Sequence, residues 1–363
     1  MSQIRAVLTV ILLLSGSVPV RAVLFASTAD PAANTNAPAG TLTNSGWQYE
    51  GQWNGDFLGT PIAPTFFLTA QHVGGGIGQV FALNGYNYHT VASWNSPDSD
   101  LRVWQVAETF PYYAPLFTST NEVGQHCLVF GRGTQRGGPV VVDGQTNGWS
   151  WGGSDHILRW GENDIASIEN DPGYGVLLRC TFDRAAPTTN ECHLSSGDSS
   201  GGLFIQDGAV WKLAGINLAV DGPFSRDGTA NTQFSAAMLD LRGLYVGSGT
   251  NWTLIPTNSA AAEPSAFYAT RISTQLGWLH SVIHFRPGPD LRITAVTRAG
   301  SDLHISLATA TNRLYRLDRR DDLAAGSWTT VTNNLPGTGS IITVTDPAAA
   351  GLPQRFYRVE LNP

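Results

Sequence analysis

The stretch from His193 to Gly202, HLSSGDSSGG, holds the residue types best suited to covalent chemistry in this chain. A small polar turn that ends Gly197-Asp198-Ser199 and runs into the apolar Leu203-Phe204-Ile205 lifts a serine out of a strand. Its glycines let backbone N–H groups crowd toward a carbonyl. A hydroxyl attacks at neutral pH only when a base takes its proton, and that base is usually a histidine held in one tautomer by a carboxylate. Two further stretches supply such groups. Thr65-Phe-Phe-Leu-Thr-Ala-Gln-His72 is an apolar, β-prone run that delivers a histidine at its end. Ser99-Asp100-Leu-Arg-Val-Trp-Gln-Val106 sets an aspartate at the head of a strand. Asp98 lies on the same side of an extended chain and competes with Asp100, but the apolar strand begins directly after Asp100. Taken singly, the Gly/Ser/Asp stretch makes an ordinary surface turn and His72 an ordinary core histidine; only the three stretches together point to this chemistry.

In the order His, Asp, Ser, these stretches resemble the trypsin/chymotrypsin-like serine proteases. LTAQH ending at His72 resembles that family's LTAAH, DLRVWQV from Asp100 resembles its D-I-A-L-x-x-L strand, and GDSSGG from Gly197 resembles its GDSGG. Leu203, Gly208 to Trp211, Leu213, Gly215 and Ile216 resemble the run that follows the family's nucleophile with almost no shift, a register that favours Ser199 over Ser200. The resemblance implies His72 as general base, Asp100 as the group that orients it, Ser199 as nucleophile and the N–H groups of Gly197 and Ser199 as the oxyanion hole. It implies a protein or peptide substrate and no cofactor. It also places His193 at the floor of the substrate pocket and Val220 at its wall, which disfavours Lys or Arg and favours small or medium apolar side chains, or a glutamate if His193 is protonated. Three departures stand out. Ser200 replaces the family's first glycine after the nucleophile, and Leu218-Ala219-Val220 replaces Ser-Trp-Gly. No segment of the Ile-Val-Gly-Gly type precedes Trp47 to give the new N-terminus that pairs with the aspartate beside the nucleophile, here Asp198. Another group must then satisfy Asp198, or the enzyme is made directly in its active form.

The elements that must position these residues read as an all-β chain. Short strand-like runs alternate with Gly-rich turns from 46 to 220, with almost no helical periodicity, and this texture suits two barrels. His72 and Asp100 fall in the first, Ser199 in the second. Residues 221 to about 264 resemble nothing in the family and read as an inserted loop region near the cleft. The stretch after Ala266 resembles the family's last strand and C-terminal helix, with Ile272, Leu276, Leu279 and Ile283 on one helical face and Ser273 as its N-cap. The organisation expected is a signal peptide at 1–22, a flexible leader at 23–45, a two-barrel protease domain at 46–285 and, after the Pro287-Gly-Pro289 hinge, a small C-terminal β-sandwich at 290–363. That sandwich resembles modules of secreted bacterial proteins and suits a surface or polymer ligand that the sequence does not name.

The 363 residues carry a formal net charge of −7, which gives no reason to expect nucleic acid as a partner. The apolar run within 1–22 is too short for a comfortable membrane span, so the chain is expected to be secreted, extracellular or periplasmic, with no membrane anchor. Of three cysteines, Cys180 and Cys192 bracket a Pro/Thr/Asn loop and are the expected disulfide, leaving Cys127 buried and reduced. His280 and His284 have a metal-compatible spacing, but without a third ligand nearby no metal is expected. Two rival functions remain. Gly197-Asp-Ser199-Ser-Gly201 also satisfies the G-x-S-x-G of esterases, whose alternating helices this chain lacks. A catalytically inactive protease-like binding or adhesion module is the other.

Overall fold

Residues 23–186, 188–284, 292–309, 314–323, 326–338 and 340–362 are described by a computed structural model. The expected signal segment 1–22, the domain end at Phe285 and the Pro287–Pro289 hinge lie outside the described residues. The chain divides into two compact units between Leu279 and His280.

In the first unit, β1 (Leu24–Phe25) precedes a closed barrel of β2 (Gly51–Trp53), β3 (Phe57–Ala63), β4 (Phe66–Ala70), β5 (Val80–Leu83), β6 (Tyr86–Asn95) and β7 (Leu101–Val106), joined in the order β2-β3-β4-β7-β6-β5. Its core is aromatic. Trp53, Phe67, Phe81 and Trp104 are almost wholly buried, with Phe67 stacked on Phe81 at 4.2 Å between centroids and Trp53 against Trp104 at 4.6 Å. Removing each such ring from water contributes roughly 2–3 kcal/mol. Gly51 lets this packing happen, because a Cβ there would stand 2.2 Å from the Phe81 ring.

The second barrel begins with β8 (His126–Gly131). A hairpin of β9 (Arg136–Val142) and β10 (Gln145–Trp151) follows, then β11 (Arg159–Asp171), β12 (Gly175–Thr181), the short β13 (Cys192–His193), β14 (Gly202–Asp207) and β15 (Val210–Val220). The inserted region contributes β16 (Phe224–Ser225), β17 (Ala236–Met238), β18 (Tyr245–Ser248) and β19 (Asn251–Leu254), before β20 (Ala266–Arg271) completes the barrel β11-β12-β20-β15-β14-β8. Two closed six-stranded barrels are the chymotrypsin-like architecture. This second core is aliphatic and thiol-rich, built on Val129, Ile165, Leu178, Leu203, Ile205 and the three cysteines.

Two expectations fail here. Cys180 and Cys192 are both free. Cys180 stands opposite Ile165 and Phe267 in the barrel wall, whereas Cys192 stands opposite Phe25, so the thiols enter the core from strands that do not pair. Cys180 lies against Cys127 instead, and burial pushes the Cys127 and Cys192 thiols up. Nor is 23–45 a flexible leader. Val23, Leu24 and Phe25 are buried, β1 pairs with β13, and further on the Asn34 amide donates to the Trp160 carbonyl at 2.9 Å while the Trp160 indole N–H donates to the Asn36 carbonyl at 2.9 Å. Three consecutive apolar residues at its start are enough to dock the segment on the second barrel. Helix α1 (Leu276–His284) forms as expected, but Ser273 does not cap it, because its hydroxyl donates to the buried Glu122 carboxylate. Among the described residues no helix is long and apolar enough to cross a membrane.

The second unit holds two three-stranded sheets. One is β21 (Arg292–Ala299), β22 (Asp302–Ala308) and β25 (Ile341–Asp346), and the other is β23 (Leu314–Arg320), β24 (Thr329–Pro336) and β26 (Phe356–Asn362). Ile305 and Leu307 from the first meet Leu317 from the second in one apolar cluster, which makes the sheets the two faces of a small sandwich.

Candidate active site

His72 sits just past the end of β4, where the chain turns back beside the head of β7. The Gln71 N–H donates to the Asp100 carbonyl at 2.7 Å, and the His72 N–H donates to Asp100 Oδ1 at 3.0 Å. Asp100 Oδ2 lies 2.5 Å from His72 Nδ1. A proton on Nδ1 is the arrangement that suits this contact, and it leaves the Nε2 lone pair free. Ser199 Oγ is 2.9 Å from Nε2. Asp98, the competing acid, is turned away, its carboxylate accepting from Ser96 Oγ at 2.9 Å.

The turn that carries Ser199 is shaped from inside. Gly197 has φ +95°, a backbone that side chains rarely adopt, and a Cβ there would lie 2.9 Å from Gly133 Cα. The Asp198 carboxylate points into the protein and accepts from the Gly133 N–H at 2.7 Å, the Ser195 N–H at 2.8 Å and the Ser195 hydroxyl at 2.9 Å. A fourth donor is the backbone N–H of Val23. The donors hold the carboxyl down, but burial dominates and pushes Asp198 up to about 6. Gly131 makes room for it, since a Cβ there would fall 2.0 Å from Asp198 Oδ1. Among the described residues the N–H groups of Gly197 and Ser199 meet no acceptor.

Ser199 and His72 open onto a cavity of about 240 Å³ walled by Leu218, Ala219 and Val220 and bounded by Trp151 and Ser235. Val220 is where the sequence puts it. His193 is not: it does not line the cavity, and its ring is wholly buried between Phe182 and Phe267. Its Nδ1 lies 2.7 Å from the Leu194 carbonyl and its Nε2 3.1 Å from Ser265 Oγ, and burial pulls it down to about 4. A neutral, fully engaged imidazole reads no substrate, so the expected role of His193 as pocket floor, and with it the glutamate alternative, is withdrawn.

Sequence reasoning missed Asp221, which lines the cavity at the end of β15. Its carboxylate accepts from the Tyr268 hydroxyl at 2.9 Å and the Ala266 N–H at 2.8 Å, and burial raises its pKa. No motif marks it. The signal was its place at the start of the inserted region, whose Asp221, Gly222, Pro223 and Ser235 all reach the cleft. Among the described residues no group of His, Cys, Asp and Glu is arranged to hold a metal.

No family model matches this chain, and no curated protein matches it. Among solved structures it is similar to neuropsin, a serine protease expressed in the limbic system of mouse brain, at 15% identity over 66% of this chain and 96% of that one, with a TM-score of 0.39. It is similar to kallikrein-related peptidase 10 at 14% identity over 69% and 100% of the two chains, TM-score 0.40. A third is an inactive mutant form of Rv3671c from M. tuberculosis, at 13% identity over 76% and 99%, TM-score 0.39. The two-barrel fold of the present chain stands on the strand pairing of the barrels themselves.

Proposed function

We propose that this protein is a secreted serine endopeptidase. The observation that carries the reading is the unbroken line from Asp100 through His72 to Ser199, with 2.5 and 2.9 Å between successive side chains, opening on a cavity beside two unspent N–H groups. As Ser199 Oγ bonds to a peptide carbonyl carbon, its proton passes to His72 Nε2, and Asp100 stabilises the imidazolium. The N–H groups of Gly197 and Ser199 receive the oxyanion. Collapse of the tetrahedral species transfers the proton from His72 to the leaving amine nitrogen as the C–N bond breaks. Water, deprotonated by His72, then attacks the acyl carbon and frees Ser199.

Export and activity are joined in this reading. Removal of the signal segment after Ala22 turns the Val23 amide into an ammonium beside Asp198, so the mature N-terminus supplies the cation that a buried carboxylate needs. The burial of Val23 and its contact with Asp198 support this. The walls of Leu218, Ala219 and Val220 support a preference for small or medium apolar side chains before the cleaved bond.

A fluorophosphonate probe tests the reading. The exported protein is expected to be labelled at Ser199 and to lose label in Ser199→Ala. An unlabelled, proteolytically inert protein would leave the binding module as the better description.

A further inference from the structure

Ser200 is an unusual occupant of its position. It has φ +73°, where a glycine costs nothing and a serine is strained, and its side chain is wholly buried. Such a residue persists only when its side chain does something a glycine cannot. The Ser200 hydroxyl oxygen accepts the N–H of Ala70 at 3.0 Å, across 130 positions of sequence. Ala70 closes β4, and β3 has already left β4 at Leu68, so this N–H has run past its strand partner. The Ser200 hydroxyl takes the partner's place. The Ser200 N–H meanwhile donates to the Asn217 carbonyl at 2.9 Å, which ties the same residue to β15 of the second barrel.

The two ends of this contact flank the two halves of the site. Ala70 is two residues before His72, and Ser200 directly follows Ser199. The His72–Asp100 pair is built within the first barrel, and among the described residues the contact that carries the site across the barrels is His72 Nε2 to Ser199 Oγ. We infer that Ser200 is a positioning residue whose hydroxyl fixes that spacing, clamping the end of β4 to the nucleophile turn. The inference rests on the protease reading above. It predicts a defect in proton transfer across the seam, without change in the His72–Asp100 pair or in the cavity.

The test compares Ser200→Gly and Ser200→Ala with the wild type. Both remove the acceptor, but glycine also relieves the positive φ while alanine keeps it. Both are expected to lower kcat roughly 10-fold with KM within about 2-fold, and to slow fluorophosphonate labelling of Ser199 in parallel. The midpoint of the acid limb of the pH–rate profile should not move, since the clamp changes a spacing and no charge. Thermal stability of Ser200→Gly should exceed that of Ser200→Ala, since both orphan the Ala70 N–H but only alanine keeps the strained φ. A glycine variant with wild-type kcat overturns the clamp, and so does loss in glycine but not in alanine, which would assign the effect to backbone freedom. A defect carried in KM or in a shifted midpoint overturns it too. A wild type that is not labelled at Ser199 removes the protease reading itself, a result distinct from a labelled wild type whose Ser200 variants behave normally.

Discussion

The two barrels build their halves of the site in different ways. In the first, His72 and Asp100, the proposed base and its orienting acid, come from two adjoining strand ends, and three contacts between residues 71–72 and 100 lock them over an aromatic core. In the second, Ser199, the proposed nucleophile, rides on a turn whose shape depends on the buried Asp198, and Asp198 depends on donors from three separate stretches, at 133, 195 and 23. The His72 side is therefore a local construction and the Ser199 side a global one. A change at Val23 therefore reaches the second barrel and leaves the first alone.

The sharpest way to break the local half is Asp100→Asn. It keeps the shape but removes the charge that suits a proton on Nδ1, and kcat at neutral pH should fall roughly 10⁴-fold with the fold retained by circular dichroism. Asp98→Asn is the matched control and should stay within about 3-fold, because that carboxylate serves only Ser96 and its own loop. Equal effects would show that the acid has been misassigned.

The global half is broken from a distance. A protein carrying a few residues before Val23 should fold yet hydrolyse a small ester roughly 10²-fold more slowly than one that starts at Val23, since a peptide N–H at Asp198 brings no charge to a buried carboxylate. Trimming the extension should restore the rate. If both forms are equally active, Asp198 needs no ammonium and export has no part in activation. A smaller effect is expected at the cavity wall. Val220→Gly should raise kcat/KM for substrates with an aromatic side chain before the cleaved bond roughly 10-fold relative to those with valine, as read on a peptide series. An unchanged ranking would move the specificity pocket elsewhere.

What the sequence made legible follows the same division. His72, Asp100 and Ser199 each lie within three residues of a strand whose apolar run is plain, so the barrels were readable from pattern, and the resemblance of LTAQH, DLRVWQV and GDSSGG to one family's motifs picked out the three residues. The docking of 23–25 was not, because three apolar residues are lost in the average of an Ala/Asn/Thr/Pro-rich stretch. His193 was placed by register alone, and register says nothing of the direction in which a side chain enters a core. The cysteine pairing failed for the same reason: Cys180 and Cys192 are close in sequence but lie on unpaired strands. Asp221 lay in a region without motif, where only a folded chain brings the cleft to it.

The gentlest test concerns the seam itself. Glu50 is buried, its Oε1 accepting from the Thr60 hydroxyl of β3 at 3.1 Å and from the Gly202 N–H of β14 at 3.3 Å, while Oε2 has no hydrogen-bond partner among the described residues. Burial pushes its pKa from 4.5 up to about 8. Between those values the folded protein keeps a proton that the unfolded chain has released, so stability falls as pH rises through this window, and the whole penalty is present above about pH 8. Glu50→Gln keeps a neutral side chain of the same shape at every pH. In urea denaturation it should come within about 1 kcal/mol of the wild type near pH 5 and exceed it by roughly 4–5 kcal/mol at pH 9. Its kcat/KM on a small ester at pH 7 should stay within about 2-fold, because Glu50 touches neither Ser199, His72 nor Asp100. Parallel stability curves for the two proteins would mean that Glu50 is not the group that titrates in the seam, and a large loss of activity would mean that the seam transmits to the catalytic spacing through more than Ser200.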